Sequence, residues 1–142
     1  MKIVVDSNTL VSGSLWNGPP ARLLDAIRSG KLTLVQSPVL WVEFVEVLSR
    51  PKFAARLRLE GLTPTLVADG LRRYVTWIPN SQIPLPPELR DPKDLLVLAA
   101  AVCTKADAVV TGDNDLISMN SFEGIPILNA RAMLEKLGIA VE

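Results

Sequence analysis

The chain has 142 residues, its 15 lysines and arginines are balanced by 15 aspartates and glutamates, and 49% of its residues are apolar. The apolar content excludes a disordered chain, and the zero net charge excludes a global electrostatic attraction to nucleic acid. There is no histidine, so histidine-activated nucleophiles, histidine-based RNA cleavage and histidine-ligated zinc are also excluded.

Length and hydropathy bound the organisation of the chain. We expect one domain over residues 1–142, since a chain of this size buries roughly 70% of its unfolded surface. No apolar run reaches the roughly 18 residues of a membrane span, and a strand is predicted directly from Lys2, so we expect neither a membrane span nor a signal peptide. Cys103 stands alone in a small apolar helical run and is predicted to be a buried thiol. We therefore expect a cytoplasmic protein without disulfides and without a membrane partner.

Short apolar runs alternate with helical patterns along the chain. Strands are predicted at residues 2–5, 31–36, 74–78, 107–112 and 125–128, with turn chemistry directly after the first. Helices are predicted at residues 17–30, 38–50, 51–60, 63–73 and 91–106 and after residue 129, and a proline-rich loop covers residues 79–90. Strands of about five residues separated by helices predict an α/β domain, with a parallel sheet covered by helices on both faces.

Carboxylates stand where several of these strands end. Asp6 follows the first strand and Asp113 follows the fourth. Glu43 lies one turn into the helix after the second strand, and Asp94 lies in the first turn of the helix after the third. Ligands of such sheets bind beyond the carboxyl ends of the strands, near the point where strand order reverses. If the first and fourth strands are neighbours, these four carboxylates converge.

Four converging carboxylates repel one another, at a cost on the order of 1–4 kcal/mol per pair about 4 Å apart. A divalent cation with hard oxygen ligands relieves this repulsion. Mg²⁺ or Mn²⁺ fits best, held by a few carboxylates, by water and by a substrate phosphate. The pattern therefore predicts a metal-assisted reaction on a phosphate ester.

Most of these acids also have a purely structural explanation. Asp91 and Asp94 fit the start of a helix, Asp113 fits a turn with a helix cap, and Glu43 fits a solvated helix stripe. Asp6 is the hardest to explain in this way, since the polar residues directly after it could cap a helix themselves. Convergence at one edge of the sheet is therefore the stronger argument.

Five stretches, in this order, carry a resemblance to a known family: "VVDSNTLVSG", "WNGPPARLLD", "SPVLWVEFVEVLSRPKF", "DPKDLLVLAAAV" and "AVVTGDNDL". With "FEGIPILNARAMLEKL" they cover nearly the whole chain, which resembles the PIN-domain proteins and especially the toxins of type II toxin–antitoxin systems. The resemblance implies a three-layer α/β/α fold with a five-stranded parallel sheet of order 3-2-1-4-5. It also implies a Mg²⁺- or Mn²⁺-dependent endoribonuclease, a cognate antitoxin and a homodimer.

The resemblance also assigns residues. It implies a catalytic set of four acids, a metal-binding subset and a supporting polar shell. The catalytic set is Asp6, Glu43, Asp94 and Asp113; the metal subset is Asp6, Asp94 and Asp113; the polar shell is Asn8, Asp91, Thr111 and Asp115. Leu95, Leu96 and Asn114 depart from the family pattern, which puts an RNA contact near Asn114 in doubt but removes no acid.

RNA must reach these acids despite their charge. A basic run follows the predicted helix at residues 38–50, and it offers RNA contacts from Arg50, Lys52, Arg56 and Arg58. A solvated helix face explains the same run. In the family, dimerisation and antitoxin docking use residues 38–60, which are apolar on more than one face.

Two other functions remain open. The first is a non-catalytic PIN module that binds RNA or a protein partner. The second is a phosphatase of the haloacid dehalogenase type, which also places an aspartate after its first strand. That class requires a second acid where this chain has Asn8.

Overall fold

The computed structural model describes residues 1–84, 86–87, 89 and 91–139. Three positions of the predicted proline-rich loop at 79–90, Leu85, Glu88 and Arg90, lie outside the described residues.

A single mainly parallel sheet organises the fold. Its strands are β1 (Lys2–Val5), β2 (Thr33–Gln36), β3 (Val75–Trp77), β4 (Ala108–Val110), β5 (Ser121–Phe122) and β6 (Ile125–Leu128). The order across the sheet is β3-β2-β1-β4-β6-β5. The five parallel strands keep the predicted order, and β1 lies between β2 and β4.

The predicted strand count needs one correction. β5 is a two-residue strand that pairs antiparallel with β6, where Ser121 faces Pro126 and Phe122 faces Ile125. The sheet therefore has six strands rather than five. A strand this short is defined by its pairing and not by a run of apolar residues, so the sequence pattern did not reveal it.

Helices cover the sheet. They are α1 (Ser7–Leu15), α2 (Pro19–Arg28), α3 (Pro38–Leu48), α4 (Ala54–Leu59), α5 (Pro64–Arg72), α6 (Pro92–Thr104), α7 (Asn114–Ile117) and α8 (Ala130–Lys136). A 3-10 turn at Pro51–Phe53 precedes α4. Prolines begin α2, α3, α5 and α6. Proline suits this position because the first N–H groups of a helix have no acceptor within the helix, so its missing N–H costs nothing there.

The predicted turn after β1 is wrong, because α1 begins there. Serine, asparagine, threonine and glycine have poor helix propensity and hide this helix in the sequence. Leu10 and Val11 are nevertheless buried and anchor α1 to the core. At Gly13 a Cβ atom would lie 2.6 Å from the backbone oxygen of Pro20, so only glycine allows α1 and α2 this close approach.

The core lies on both faces of the sheet. Ile3 and Val5 pack with one cluster, formed mainly by α1, α2, α3 and α8, while Val4 packs with α6 on the other face. The predicted α/β architecture with helices on both faces is therefore confirmed. Cys103 lies near the end of α6 and is exposed, so the predicted buried thiol is wrong. In the part of the chain that the structure describes, no helix is long and apolar enough to cross a membrane.

Candidate active site

Asp6 joins the end of β1 to the start of α1. Its Oδ1 accepts a hydrogen bond from the backbone N–H of Thr9 at 2.9 Å, which caps α1. Its Oδ2 accepts a hydrogen bond from the hydroxyl of Thr111. The expectation that neighbouring residues would do the capping is therefore wrong. Since each carboxylate oxygen has two lone pairs, Asp6 can still accept further ligands.

Thr111 connects two of the acids. It follows β4 and is fully buried, and while its hydroxyl donates to Asp6, its Oγ1 accepts the backbone N–H of Asp113 at 3.0 Å. Asp113 in turn caps α7, where its Oδ1 accepts the backbone N–H of Asp115 at 2.8 Å. A single threonine therefore fixes the relative placement of Asp6 and Asp113.

Glu43 projects from α3 toward the same edge of the sheet. Its Oε2 accepts a hydrogen bond from the hydroxyl of Ser7 at 3.1 Å. Burial raises the pKa of Glu43 above its ordinary value, the bond from Ser7 and the charge of Lys93 oppose that rise, and the charge of Asp6 adds to it. Ser7 is 6% exposed, so this bond is shielded from water.

Asp94 stands in the first turn of α6. Its Oδ2 is buried and has no hydrogen-bond partner among the residues that the structure describes. Burial, followed by the negative charge of Asp113 and Asp91, raises the pKa of Asp94 to about 6. A buried carboxylate oxygen without a partner is costly, and a cation or a proton would satisfy it.

The four acids meet at one cavity of about 150 Å³. Asn8 and Asp91 from the predicted polar shell also line it, together with Ser7, Arg50 and Lys93. Thr111 and Asp115, the other two members of the predicted shell, do not line the cavity. Thr111 contacts it through its hydrogen bond to Asp6, and Asp115 is exposed. The four acids that the sequence predicts to converge therefore do line one cavity.

A divalent cation suits the chemistry of this cavity, although the acids do not form a closed ligand set. Among the described residues, no three acidic or cysteine side chains are grouped closely enough to hold a metal ion as they are placed. The donors are hard carboxylate oxygens, and the buried Oδ2 of Asp94 has no hydrogen-bond partner among the described residues. Asp6, Asp94 and Asp113 are the residues that fit such an ion.

The predicted RNA contacts divide into different roles. Arg50 lines the acidic cavity and is 3.4 Å from Glu46. Arg56 is used inside the fold, because its Nε donates to the backbone oxygen of Leu15 at 2.8 Å and its guanidinium lies over the ring of Trp16. These contacts tie α4 to the end of α1.

Lys52 and Arg58 stand further along the same segment. The Nζ of Lys52 lies 5.0 Å from the centre of the Phe53 ring. Arg58 lines a separate cavity of about 210 Å³ beside α5. Of the four predicted contacts, only Arg50 lines the acidic cavity.

Two residues of the cavity were missed by the sequence reasoning. Ser7 looked like turn chemistry, and its contact with Glu43 links residues 36 positions apart. Lys93 stands between Asp91 and Asp94 in "DPKD". A charged residue in the first turn of a helix is common and does not by itself indicate a functional site. A cation between two acids was the only available signal.

Comparison with known proteins identifies one family. A family model described as PIN domain matches residues 2–115. No curated protein matches the chain. Among solved structures, the PIN domain of human SMG5 aligns with a TM-score of 0.49 at 11% sequence identity, and the alignment covers 96% of this chain and 99% of that chain.

Proposed function

Because the chain belongs to the PIN-domain family, we propose that it is an endoribonuclease that hydrolyses RNA phosphodiester bonds with Mg²⁺ or Mn²⁺. The observation that carries this proposal is the cavity lined by Asp6, Glu43, Asp94 and Asp113. Within it, the buried Oδ2 of Asp94 has no hydrogen-bond partner in the part of the chain that the structure describes. Carboxylates brought this close repel one another, which opposes folding. A divalent cation relieves that repulsion, so the same cluster favours cation binding.

Asp6, Asp94 and Asp113 would hold the cation. When bound, the cation would neutralise a phosphodiester and lower the pKa of a water molecule. Asp6 and Asp113 are held in place by Thr111, so their relative position is set before the substrate arrives. Such preorganisation avoids a reorganisation cost during the reaction.

Glu43 is the carboxylate that we place in the role of proton acceptor. It stands outside the three acids assigned to the cation, and Ser7 orients its Oε2. Its raised pKa makes it a stronger base than an ordinary glutamate. Asp94 is the alternative acceptor if it does not bind the cation.

Water is the nucleophile in this mechanism, because water is the group whose pKa a cation at this site would lower. The products are then a 5′-phosphate and a 3′-hydroxyl. A 3′-labelled and a 5′-labelled single-stranded RNA, incubated with Mg²⁺, Mn²⁺ or EDTA, test both points. Metal-dependent fragments with these ends support the proposal, and 2′,3′-cyclic phosphate ends contradict it.

A toxin role with a cognate antitoxin, and a homodimer, complete the proposal. Exposed apolar side chains on α3 and β3 support a partner surface: Val42 is 68% exposed and Trp77 is 41% exposed. They border a cavity of about 400 Å³ that Trp41 also lines. Sedimentation of the purified chain tests the dimer, and growth arrest on expression, relieved by a neighbouring gene product, tests the toxin role.

The second candidate function is a PIN module that binds RNA or a partner without cleavage. The detailed placement of the acids favours it, because in the described part of the chain no three of them are grouped closely enough to hold a metal ion. Titration calorimetry with Mn²⁺ separates the two functions. Binding with one or two ions per chain favours the nuclease, and absence of binding favours the module.

A further inference from the structure

The charges on the wall of the acidic cavity are unequal. The acids that line it are Asp6, Glu43, Asp91, Asp94 and Asp113. Among the residues that the structure describes, two cationic side chains line it with them, Arg50 and Lys93. A divalent cation would leave the wall still negative, so an entering phosphodiester needs a cationic contact from the protein.

The two cations are not equally free to supply that contact. The guanidinium of Arg50 is 3.4 Å from the carboxylate of Glu46, one helical turn before it. The side chain of Lys93 is exposed, and it forms no ion pair with any acid that the structure describes. Its charge reaches into the cavity, since it lowers the pKa of Glu43.

The backbone of the first turn of α6 offers little to a phosphate. The N–H of Lys93 donates to Oδ1 of Asp91 at 2.9 Å, and the N–H of Asp94 donates to the backbone oxygen of Asp91 at 3.1 Å. These two amides are therefore already used. The donor that this turn still presents to the cavity is the ammonium group of Lys93.

We propose that Lys93 binds an RNA phosphate at the acidic cavity and thereby holds the strand against the carboxylates. This inference rests on the proposed function and adds a substrate-binding residue to it. An ammonium group suits the task because it is a compact charge on a flexible stem, and it can follow the phosphate without a fixed geometry. Lys93 also offsets part of the repulsion between the RNA and the five acids.

Equilibrium binding separates this role from catalysis. A fluorescein-labelled single-stranded RNA is titrated with the wild type, Lys93→Gln, Lys93→Arg and Lys136→Gln in EDTA, at several salt concentrations. The same lysine variants are titrated in the Asp6→Asn background with Mg²⁺. Lys136 is the matched control, since it is an exposed lysine in the last turn of α8.

The loss of one phosphate contact gives a defined signal. We expect Lys93→Gln to weaken binding about fivefold at 0.1 M salt and to reduce the slope of log K against log salt by about 0.7. Lys93→Arg retains most of the affinity, and Lys136→Gln leaves affinity and slope unchanged. A merely structural role would lower the melting temperature of Lys93→Gln without changing the slope.

Unchanged affinity and slope for Lys93→Gln would overturn the inference. If metal-dependent cleavage by the wild type were still observed, the proposed function would stand without Lys93. If the wild type bound no RNA in EDTA and Asp6→Asn bound none with Mg²⁺, the inference and the proposed function would both fail.

Discussion

The hydroxyl of Thr111 donates a hydrogen bond to Oδ2 of Asp6 across the boundary between β4 and β1, 105 positions apart in sequence. Oγ1 of the same threonine accepts the backbone N–H of Asp113. One buried side chain therefore sets two of the acids that we assign to the cation, and it does so before any ligand binds. Its removal is the most direct test of how the site is supported.

Thr111→Val keeps the shape of the side chain and removes both hydrogen bonds. We expect the free energy of unfolding to fall by about 1–3 kcal/mol, because the part-buried carboxylate of Asp6 and the part-buried N–H of Asp113 both lose their partner. Urea denaturation measures this loss. Thr76→Val, at an exposed position of β3, is the control and should stay within about 0.5 kcal/mol of the wild type. Equal effects of the two substitutions would contradict the role assigned to Thr111.

Asp94 makes the stability of the metal-free protein depend on pH. Its pKa is about 6 in the folded protein and 3.8 as an unperturbed group, so the folded state binds the extra proton between these values. The contribution of Asp94 to stability is therefore complete below about pH 4 and is lost as the pH rises through 6. Asp94→Asn should gain stability relative to the wild type over this range.

Urea denaturation in EDTA at pH 4, 5, 6 and 7 measures that difference. Asp69→Asn is the matched control, since Asp69 is exposed on α5 and does not line the cavity. Its difference from the wild type should not change across the range. A constant difference for Asp94→Asn as well would show that Asp94 titrates normally in the folded protein.

Ser7→Ala should move the pH dependence of RNA cleavage. The bond from Ser7 lowers the pKa of Glu43, so its removal raises that pKa further. If Glu43 accepts the proton, the acid limb of the pH–rate profile then shifts to higher pH. Ser14→Ala is the control, since the Ser14 hydroxyl donates to the backbone oxygen of Leu10 and Ser14 does not line the acidic cavity. An unmoved acid limb in Ser7→Ala would exclude Glu43 as the proton acceptor.

We expect substitution of Arg56 to lower the stability of the fold, and substitution of Arg58 to weaken RNA binding instead. Arg56→Gln loses the part-buried bond to the backbone of Leu15 and should cost about 1–3 kcal/mol of unfolding free energy. Arg58→Gln, at an exposed position, should leave stability unchanged and weaken RNA binding at low salt. Urea denaturation and RNA titration measure the two effects. Wild-type stability of Arg56→Gln together with weaker RNA binding would reverse this assignment.

The strands and their order were predictable because buried parallel strands are short apolar runs and because connections between them follow few rules. Helix α1 was not predictable in this way. Its polar and glycine residues disfavour a helix locally, and the capping bond of Asp6 with the burial of Leu10 and Val11 overcomes that preference. Tertiary contacts decided its structure.

The candidate site shows the same division. Asp6, Glu43, Asp94 and Asp113 could be placed at one edge from strand ends alone, since parallel strands end together. The contact between Ser7 and Glu43, and the internal use of Arg56, depend on side-chain directions that no pattern of residues specifies. The exposure of Cys103 depends on which face of α6 meets the sheet.

The most direct test of the proposed nuclease is cleavage of a 5′-labelled single-stranded RNA by the wild type, Asp94→Asn and Asp69→Asn in Mg²⁺, Mn²⁺ or EDTA. Asp94 is the best position for this test, since its buried Oδ2 has no hydrogen bond from the described residues to lose in the exchange. The wild type and Asp69→Asn should cleave with a metal and not in EDTA, and Asp94→Asn should be slower by a factor on the order of 100 or more. Cleavage by Asp94→Asn at the wild-type rate, or cleavage that persists in EDTA, would contradict a carboxylate–metal nuclease.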